Sequence, residues 1–204
     1  MRNAIRIISL LAILVLSNVA VGDHLQDGLD AYDVGDYEKA LAVCMPYAEA
    51  GDRAGQFCIG RLYANGFGVP MDDNLALKWY GLAAEQGHSE AQFNLGVMHA
   101  NGWGVPMSEE EAAKWYRLAA EQGLVIAQTS LANICHSGRG IEQSLVEAFK
   151  WFAIAAALGD TNAEFKRDAV AAELSAEELQ SGKDLTQSWL DAFDGQVLEA
   201  GRID

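Results

Sequence analysis

One stretch of 33 residues decides the fold, because the chain contains three similar copies of it. Residues 91–123 read AQFNLGVMHANGWGVPMSEEEAAKWYRLAAEQG, and residues 55–87 read GQFCIGRLYANGFGVPMDDNLALKWYGLAAEQG. Residues 127–159 read AQTSLANICHSGRGIEQSLVEAFKWFAIAAALG, so each copy begins 36 positions after the one before. A fixed period of this size predicts stacked repeats, since one unit alone cannot bury its own apolar side.

The second half of each copy is an amphipathic helix, which we name helix B. Its apolar residues follow the spacing i, i+3, i+4, i+7 and i+8, which is one side of a 3.6-residue period. In the middle copy these are Ala112, Trp115, Tyr116, Ala119 and Ala120. The first half predicts a shorter helix, named helix A, in which Gly96 permits close packing against helix B. Each copy is therefore helix–loop–helix.

The loop NGWGVP at residues 101–106 has two interpretations, a phosphate-binding loop or a structural turn. No strand precedes its glycines, no third Gly follows at dinucleotide-binding spacing, and no Lys-Ser/Thr pair completes a P-loop. Ser108 resembles an N-cap, and acidic residues 109–111 occupy the first turn of the next helix, where an anion would have to bind. These features favour the structural turn.

Composition limits the classes of partner. The chain has 204 residues, of which 50% are hydrophobic and 21% charged, as expected of a globular protein with a core. Its formal net charge is −15. A surface this acidic repels phosphate backbones and anionic lipids, so we expect no nucleic-acid partner.

The N-terminus has the pattern of a signal peptide at residues 1–22. Arg2 and Arg6 precede the apolar run 7–16, and the small residues of SNVAVGD follow. Cleavage after Gly22 fits the small-residue rule, and cleavage after Ala20 is the alternative. We therefore expect a periplasmic or secreted protein. An uncleaved segment would instead tether the protein to a membrane, which is the only membrane contact we expect.

The repeated pattern A-x-x-x-L-G-x-x-(Y/H)-x-x-G-x-G-V followed by A-x-x-W-Y-x-x-A-A-x-x-G resembles the Sel-one-like repeat (SLR), a relative of the tetratricopeptide repeat. The resemblance implies an all-α, right-handed α-solenoid of helix-turn-helix units. The implied organisation is a repeat array over 23–162, with a degenerate unit at 24–54 and full units at 55–90, 91–126 and 127–162. Capping helices and a tail would occupy 163–204, with Ser175 and Glu178 as a capping box at the last helix, which we expect to run through Trp189.

The family resemblance implies a scaffold that binds an unidentified protein or peptide on its helix A side. Carried over by position, the candidate partner-binding residues are Phe57, Arg61, Asn65, Phe93, Val97, Asn101, Thr129, Asn133 and His136. The alternatives are structural. Phe57 and Phe93 could belong to the core, and Asn65 and Asn101 could cap their helices.

The cysteines allow a disulfide. Cys44 lies seven residues before the turn at Gly51 and Cys58 seven after it, so antiparallel helices would place them at similar height. Whether they are oxidised stays open. Cys135 would remain as a buried thiol.

Catalytic and metal-binding motifs are lacking in the sequence, so we expect no enzyme, no metal and no cofactor. Its four histidines, His24, His88, His99 and His136, lack ligand spacing. One alternative function is β-lactam binding or weak hydrolysis, as in a cysteine-rich branch of the family, although this chain lacks the paired cysteines of that branch. A second alternative is a membrane-tethered factor in envelope assembly.

Overall fold

The computed structural model describes residues 24–200, with side chains for residues 24–194. The predicted signal peptide at 1–22 lies outside the described residues. Within 24–200 every regular element is a helix, which confirms the all-α repeat fold. In chain order the helices are α1 (24–33), α2 (Tyr37–Glu49), α3 (Arg53–Asn65), α4 (Asp73–Glu85), α5 (Ser89–Asn101), α6 (Glu109–Glu121), α7 (Val125–Ser137), α8 (Leu145–Ala157), α9 (Thr161–Ala171) and α10 (Ala176–Ala200). None of these described helices is both long and apolar enough to cross a membrane.

The helices form two compact units, which divide between Gln86 and Gly87. In the first unit, α2, α3 and α4 pack in sequence. Its core contains Cys44, Cys58, Ile59 and Leu62, all fully buried. The helices pack in pairs because each has one apolar side and contacts its chain neighbour, as expected for stacked repeats.

The second unit comprises α5 to α10, and its core is built around α7 and α8. Leu131, Trp151 and Ile154 are buried there with 1% exposure or less. The helix α10 packs on α8, with the Trp189 ring 6.2 Å from that of Trp151. We expected the last helix to run through Trp189. It continues to Ala200, and the Phe193 ring stacks on Trp189 at 4.7 Å, so apolar contacts extend beyond the predicted end.

The loop at 101–106 is a structural turn. Gly102 adopts a left-handed conformation (φ 74°) and its N–H donates to the Met98 carbonyl at 2.8 Å, which ends α5. The Ser108 hydroxyl then accepts from the Glu111 N–H at 3.2 Å and caps α6, as predicted. The predicted capping box also forms, because the Glu178 carboxylate accepts from the Ser175 N–H at 2.9 Å.

Candidate functional site

The candidate residues in the first unit already have partners on their own helices and on α1 and α4. Phe57 is half-buried, and its ring centre lies 5.9 Å from that of Tyr80. The Arg61 guanidinium lies 3.6 Å from the centre of the Tyr32 ring and 3.5 Å from the Asp33 carboxylate. Contacts of this kind tie α3 to α1, so Arg61 has a structural role whatever else it binds.

Asn65 and Asn101 do not cap their helices. The cap positions belong to Gly66 and Gly102, which have positive φ and therefore take the left-handed geometry more easily than Asn. Each Asn is instead the last helical residue, and its amide donates back to a carbonyl four residues earlier, at 2.8 Å in both helices. Both side chains are at the surface, with the amide oxygen directed away from this bond.

On α5, Phe93 and Val97 lie between core and surface. Both are half-buried and pack against the core of the second unit. The Phe93 ring centre lies 5.5 Å from that of Tyr116 on α6. Each side chain contributes to packing and keeps an exposed edge, and its role in partner binding stays a prediction.

On α7, the three candidate residues bond to side chains on α9 or at its two ends: Lys166 lies on α9, Asp160 is its N-cap, and Glu173 follows its C-cap. The bonds are Thr129 Oγ1 to Asp160 Oδ2 at 2.9 Å, Lys166 Nζ to Asn133 Oδ1 at 3.0 Å, and His136 Nε2 with Glu173 Oε1 at 3.1 Å. These residues are 31 to 37 positions apart in the chain. The three bonds hold α7 and α9 side by side.

Asp160 carries a negative charge at this junction. Burial raises the pKa of its carboxyl, but the Thr129 hydroxyl and the N–H groups of Asn162 and Ala163 lower it more. The pKa therefore lies below its usual value. The same carboxylate caps the N-terminus of α9, so one charged group orients both a helix start and the α7 side chain.

Two exposed apolar residues that were not among the sequence-derived candidates lie on these two helices. Ile126 on α7 is 54% exposed and Phe165 on α9 is 75% exposed. Ser130 and Asn133 follow Ile126 at i+4 and i+7, so they share its side of α7. We name Ile126, Ser130, Asn133, Phe165 and Lys166 the α7–α9 face. The repeat register could have found Phe165, because it lies 36 positions after Thr129.

The same register corrects the candidate at the end of α7. Counting 36 positions from Asn101 gives Ser137, one residue after His136. Ser137 is the last residue of α7, as Asn101 is of α5.

Cys44 and Cys58 form a disulfide in the structure, with their Cα atoms 6.4 Å apart, and it joins α2 to α3. Cys135 is a free thiol in the core of the second unit. Burial raises the pKa of this thiol, which opposes formation of a reactive thiolate. Among the residues with described side chains, no group of three or more His, Cys, Asp or Glu could hold a metal ion.

Comparison with known proteins agrees with the geometry. The Sel1 repeat matches the sequence three times, at residues 54–88, 89–124 and 125–160. A solved structure of a Sel1 repeat protein from Oxalobacter formigenes is 37% identical, with a TM-score of 0.66, over 69% of this chain and 58% of that chain. No curated protein matches the sequence.

Two further solved structures are similar. One is a protective antigen of uropathogenic Escherichia coli strains that displays an SLR fold, at 30% identity and a TM-score of 0.52, over 78% of this chain and 42% of that chain. The other is Helicobacter pylori cysteine rich protein B, at 21% identity and a TM-score of 0.50, over 62% of this chain and 94% of that chain, a likeness of fold alone. The chain thus spans 58% and 42% of the first two.

Sel1 repeat proteins generally mediate protein–protein interactions and are typically non-enzymatic scaffolds. The three matched repeats cover more than half of the sequence, and the protein from O. formigenes is similar over more than two thirds of it. The paired helices and glycine turns described above are those that this repeat requires, and the chain belongs to the Sel1 repeat family.

Proposed function

We propose that the protein is a periplasmic module without chemistry of its own, which binds a partner protein or peptide through the α7–α9 face. The observation that carries the proposal is the exposure of Ile126 on α7 and Phe165 on α9, two helices joined by the hydrogen bond between Asn133 and Lys166. The family's general role in protein–protein interaction supports the class of partner.

The α7–α9 face has the two properties that favour binding. Its apolar side chains lose surface to water when a partner covers them, and burying one large apolar side chain contributes about 1.5–3 kcal/mol. Its polar side chains are held in place, Lys166 and Asn133 by their bond between α9 and α7 and Ser130 by a bond to the Ile126 carbonyl, so little conformational entropy is lost on binding. We therefore expect a partner that inserts apolar side chains and aligns polar groups between them.

Site-specific photocrosslinking tests the face. A photoreactive phenylalanine analogue would replace Ile126 or Phe165 in cells that make the protein. Matched positions are Leu118 on α6 and Leu185 on α10, which are also exposed apolar residues. We expect a crosslinked partner from the first two positions and none from the second two. Equal crosslinking from all four, or crosslinking from Leu118 and Leu185 alone, would assign the binding surface elsewhere.

A variant series gives the energetic test on the captured partner. Serine at both Ile126 and Phe165 should weaken binding at least tenfold, because two apolar contacts are removed. Serine at both Leu118 and Leu185 should leave affinity within about twofold. Circular dichroism of both double variants would check that the helices remain.

The periplasmic part of the proposal rests on residues 1–22 and has its own test. Cell fractionation and intact mass of the purified protein would show the compartment and the N-terminus. We expect a periplasmic protein that begins after Gly22 or Ala20. A membrane-bound protein of full mass would favour the tethered alternative, and a cytoplasmic one would refute export.

A further inference from the structure

The second unit contains a crevice where α9 and α10 pack separately on α8. It encloses about 360 Å³ and is open to solvent. Phe149, Ala153, Ala157 and Leu190 form apolar walls, and polar residues of α9 and α10 complete the lining: Arg167, Lys183, Thr186 and Gln187. None of these residues belongs to the α7–α9 face.

The repeat register shows that Ala157 in the wall formed by α8 is particular to the third copy. Counting back from Ala157 by 36 and by 72 positions gives Glu121 and Glu85, which are exposed acids on helix B of their copies. The positions equivalent to Ala153 are Gly81 in the first copy and Arg117 in the second. Alanine at position 157 removes the charge and the volume of that glutamate from α8, the helix on which α10 packs, and leaves room for the crevice.

The crevice has positive charge in an acidic protein. Arg167 pairs with the neighbouring Asp168 at 2.7 Å, which compensates one cation. Lys183 has no ion-pair or hydrogen-bond partner among the side chains that the structure describes. One positive charge is therefore uncompensated at an apolar crevice, in a chain of formal charge −15. This combination attracts a single anionic group attached to an apolar one.

Hydrogen-bond acceptors on α10 narrow the class of ligand. The Gln187 amide nitrogen donates to Asp191 at 2.7 Å, which leaves its Oε1 as an acceptor on the crevice wall. The Thr186 hydroxyl donates to the Gly182 carbonyl at 2.8 Å, so its oxygen can also accept. A fatty acid offers no donor to these atoms, whereas a peptide offers backbone N–H groups.

From these contacts we infer that the crevice between α8, α9 and α10 binds the C-terminal residue of a peptide. The terminal carboxylate lies between Lys183 and Arg167, and an apolar last side chain lies on Phe149, Ala153 and Leu190. This is a second binding site, separate from the α7–α9 face, and it recognises the free C-terminal carboxylate of a peptide.

Fluorescence anisotropy of the full chain tests the inference directly. The probe is a fluorescein-labelled peptide, Gly-Ser-Gly-Ala-Leu, with a free C-terminal carboxylate. We expect saturable binding of this peptide and at least tenfold weaker binding of the same peptide with a C-terminal amide. A tenfold loss corresponds to about 1.4 kcal/mol, within the range of one charge-assisted hydrogen bond. Equal binding of acid and amide, or no saturable binding, overturns the inference.

Two substitutions on α8 separate charge from volume. Ala157→Glu restores the residue of the other two copies, so the helix tolerates it, and it places an acid in the crevice. Ala157→Gln adds almost the same volume without charge. We expect Ala157→Glu to weaken the peptide at least tenfold and Ala157→Gln to weaken it about threefold or less. Equal losses for the two variants would contradict a carboxylate in the crevice.

A further pair of variants and one competitor complete the test. Lys183→Gln should weaken the peptide about fivefold to tenfold. Lys39→Gln makes the same change of charge on α2 and should leave the peptide affinity unchanged. An equal loss of affinity in the two variants would mean that net charge, and not Lys183 itself, causes the effect, and it would contradict the inference. Dodecanoate should displace the peptide only weakly. Displacement by dodecanoate at a lower concentration than by unlabelled peptide would assign the crevice to a lipid and overturn the inference.

Discussion

The contact between Gly60 and Tyr80 gives a sharp prediction about packing in the first unit. A Cβ atom added at Gly60 would lie 2.5 Å from Tyr80 Cδ1 and 2.7 Å from Cε1, closer than real Cβ contacts allow. Gly81, also within a helix of the first unit, has no atom within 4 Å of such a Cβ. The same substitution to Ala at these two positions therefore isolates the packing contribution.

Alanine changes two quantities, the helix propensity and the packing against the neighbouring helix. These two effects oppose each other at Gly60, whereas at Gly81 only the helix propensity changes. Alanine is about 1 kcal/mol better than Gly within a helix, at either position. At Gly60 the ring must move or the helices must separate, and overpacking of this kind costs about 1–3 kcal/mol. Tyr80 is only 4% exposed, so its ring has little room to withdraw. We expect Gly81→Ala to be more stable than Gly60→Ala by about 1–3 kcal/mol.

Urea unfolding followed by far-UV circular dichroism measures this difference. Gly81→Ala should raise the unfolding midpoint and Gly60→Ala should leave it unchanged or lower it. The double variant Gly60→Ala with Tyr80→Leu should lose less than the sum of its single changes, because the smaller side chain vacates the space. Equal stabilisation by both alanine substitutions would refute the reasoning, since it would mean that the Tyr80 ring does not rest on the α3 backbone.

Three other predictions concern the cysteines and the capping box. Cys44→Ser will lower the free energy of unfolding by about 3 kcal/mol, because the disulfide spans a sequence separation of 14. Dithiothreitol should lower the free energy of unfolding of the unaltered protein, measured by urea, by the same amount, and no response to it would mean that the bridge is not formed. The Cys135 thiol, whose pKa is raised by burial, should resist iodoacetamide at pH 8 and react after unfolding. Mass spectrometry checks this, and modification in the folded state would contradict its burial. Hydrogen bonds from the Ser175 hydroxyl and N–H lower the pKa of Glu178, so its stabilising contribution is present above the unfolded pKa and is lost as pH falls through the folded one. The melting temperature of Glu178→Gln should therefore fall less between pH 7 and pH 3 than that of the unaltered protein, and an equal fall would show that the capping box contributes nothing.

The repeat architecture was predictable because it rests on local rules. The 36-residue period, the apolar spacing of helix B and the cap residues Ser108 and Ser175 all act within one copy or between adjacent copies. The alternative that Asn101 caps its helix is wrong, because Gly102 follows it and has the lower cost at positive φ. The end of α10 was also missed: beyond Trp189 the Phe193 ring stacks on the Trp189 ring, which itself contacts Trp151 of α8, and these contacts depend on packing and not on a local stop signal.

The candidate site was less predictable, because helix periodicity gives the side of a helix and not the group that reaches across to it. Thr129 and Asp160 are 31 positions apart, and nothing local in either segment pairs them. The same holds for Asn133 and Lys166. The repeat register predicts which residues lie on helix A. It does not predict their hydrogen bonds, which depend on how α7 and α9 lie relative to each other in the fold.

Differences among the copies carry more information about binding than their similarities do. Phe57, Phe93, Thr129 and Phe165 follow one another at intervals of 36 residues. Tyr80 and Tyr116 face the first two from helix B, and the same count from Tyr116 leads through Phe152 to Ser188 as the residue that would face Phe165. Phe57 and Phe93 are half-buried because Tyr80 and Tyr116 occupy that helix B position in their own copies.

At the fourth position the aromatic partner is missing, since Ser188 cannot cover a ring and α10 packs on α8. Phe165 therefore stays at the surface, although it repeats a residue whose packing role is clear in two earlier copies. Internal stability does not require an exposed phenylalanine there, because its own copy provides nothing for it to pack against. An exposed ring lowers solubility and contributes little to the stability of the fold. This pattern is expected when a side chain is buried by another molecule.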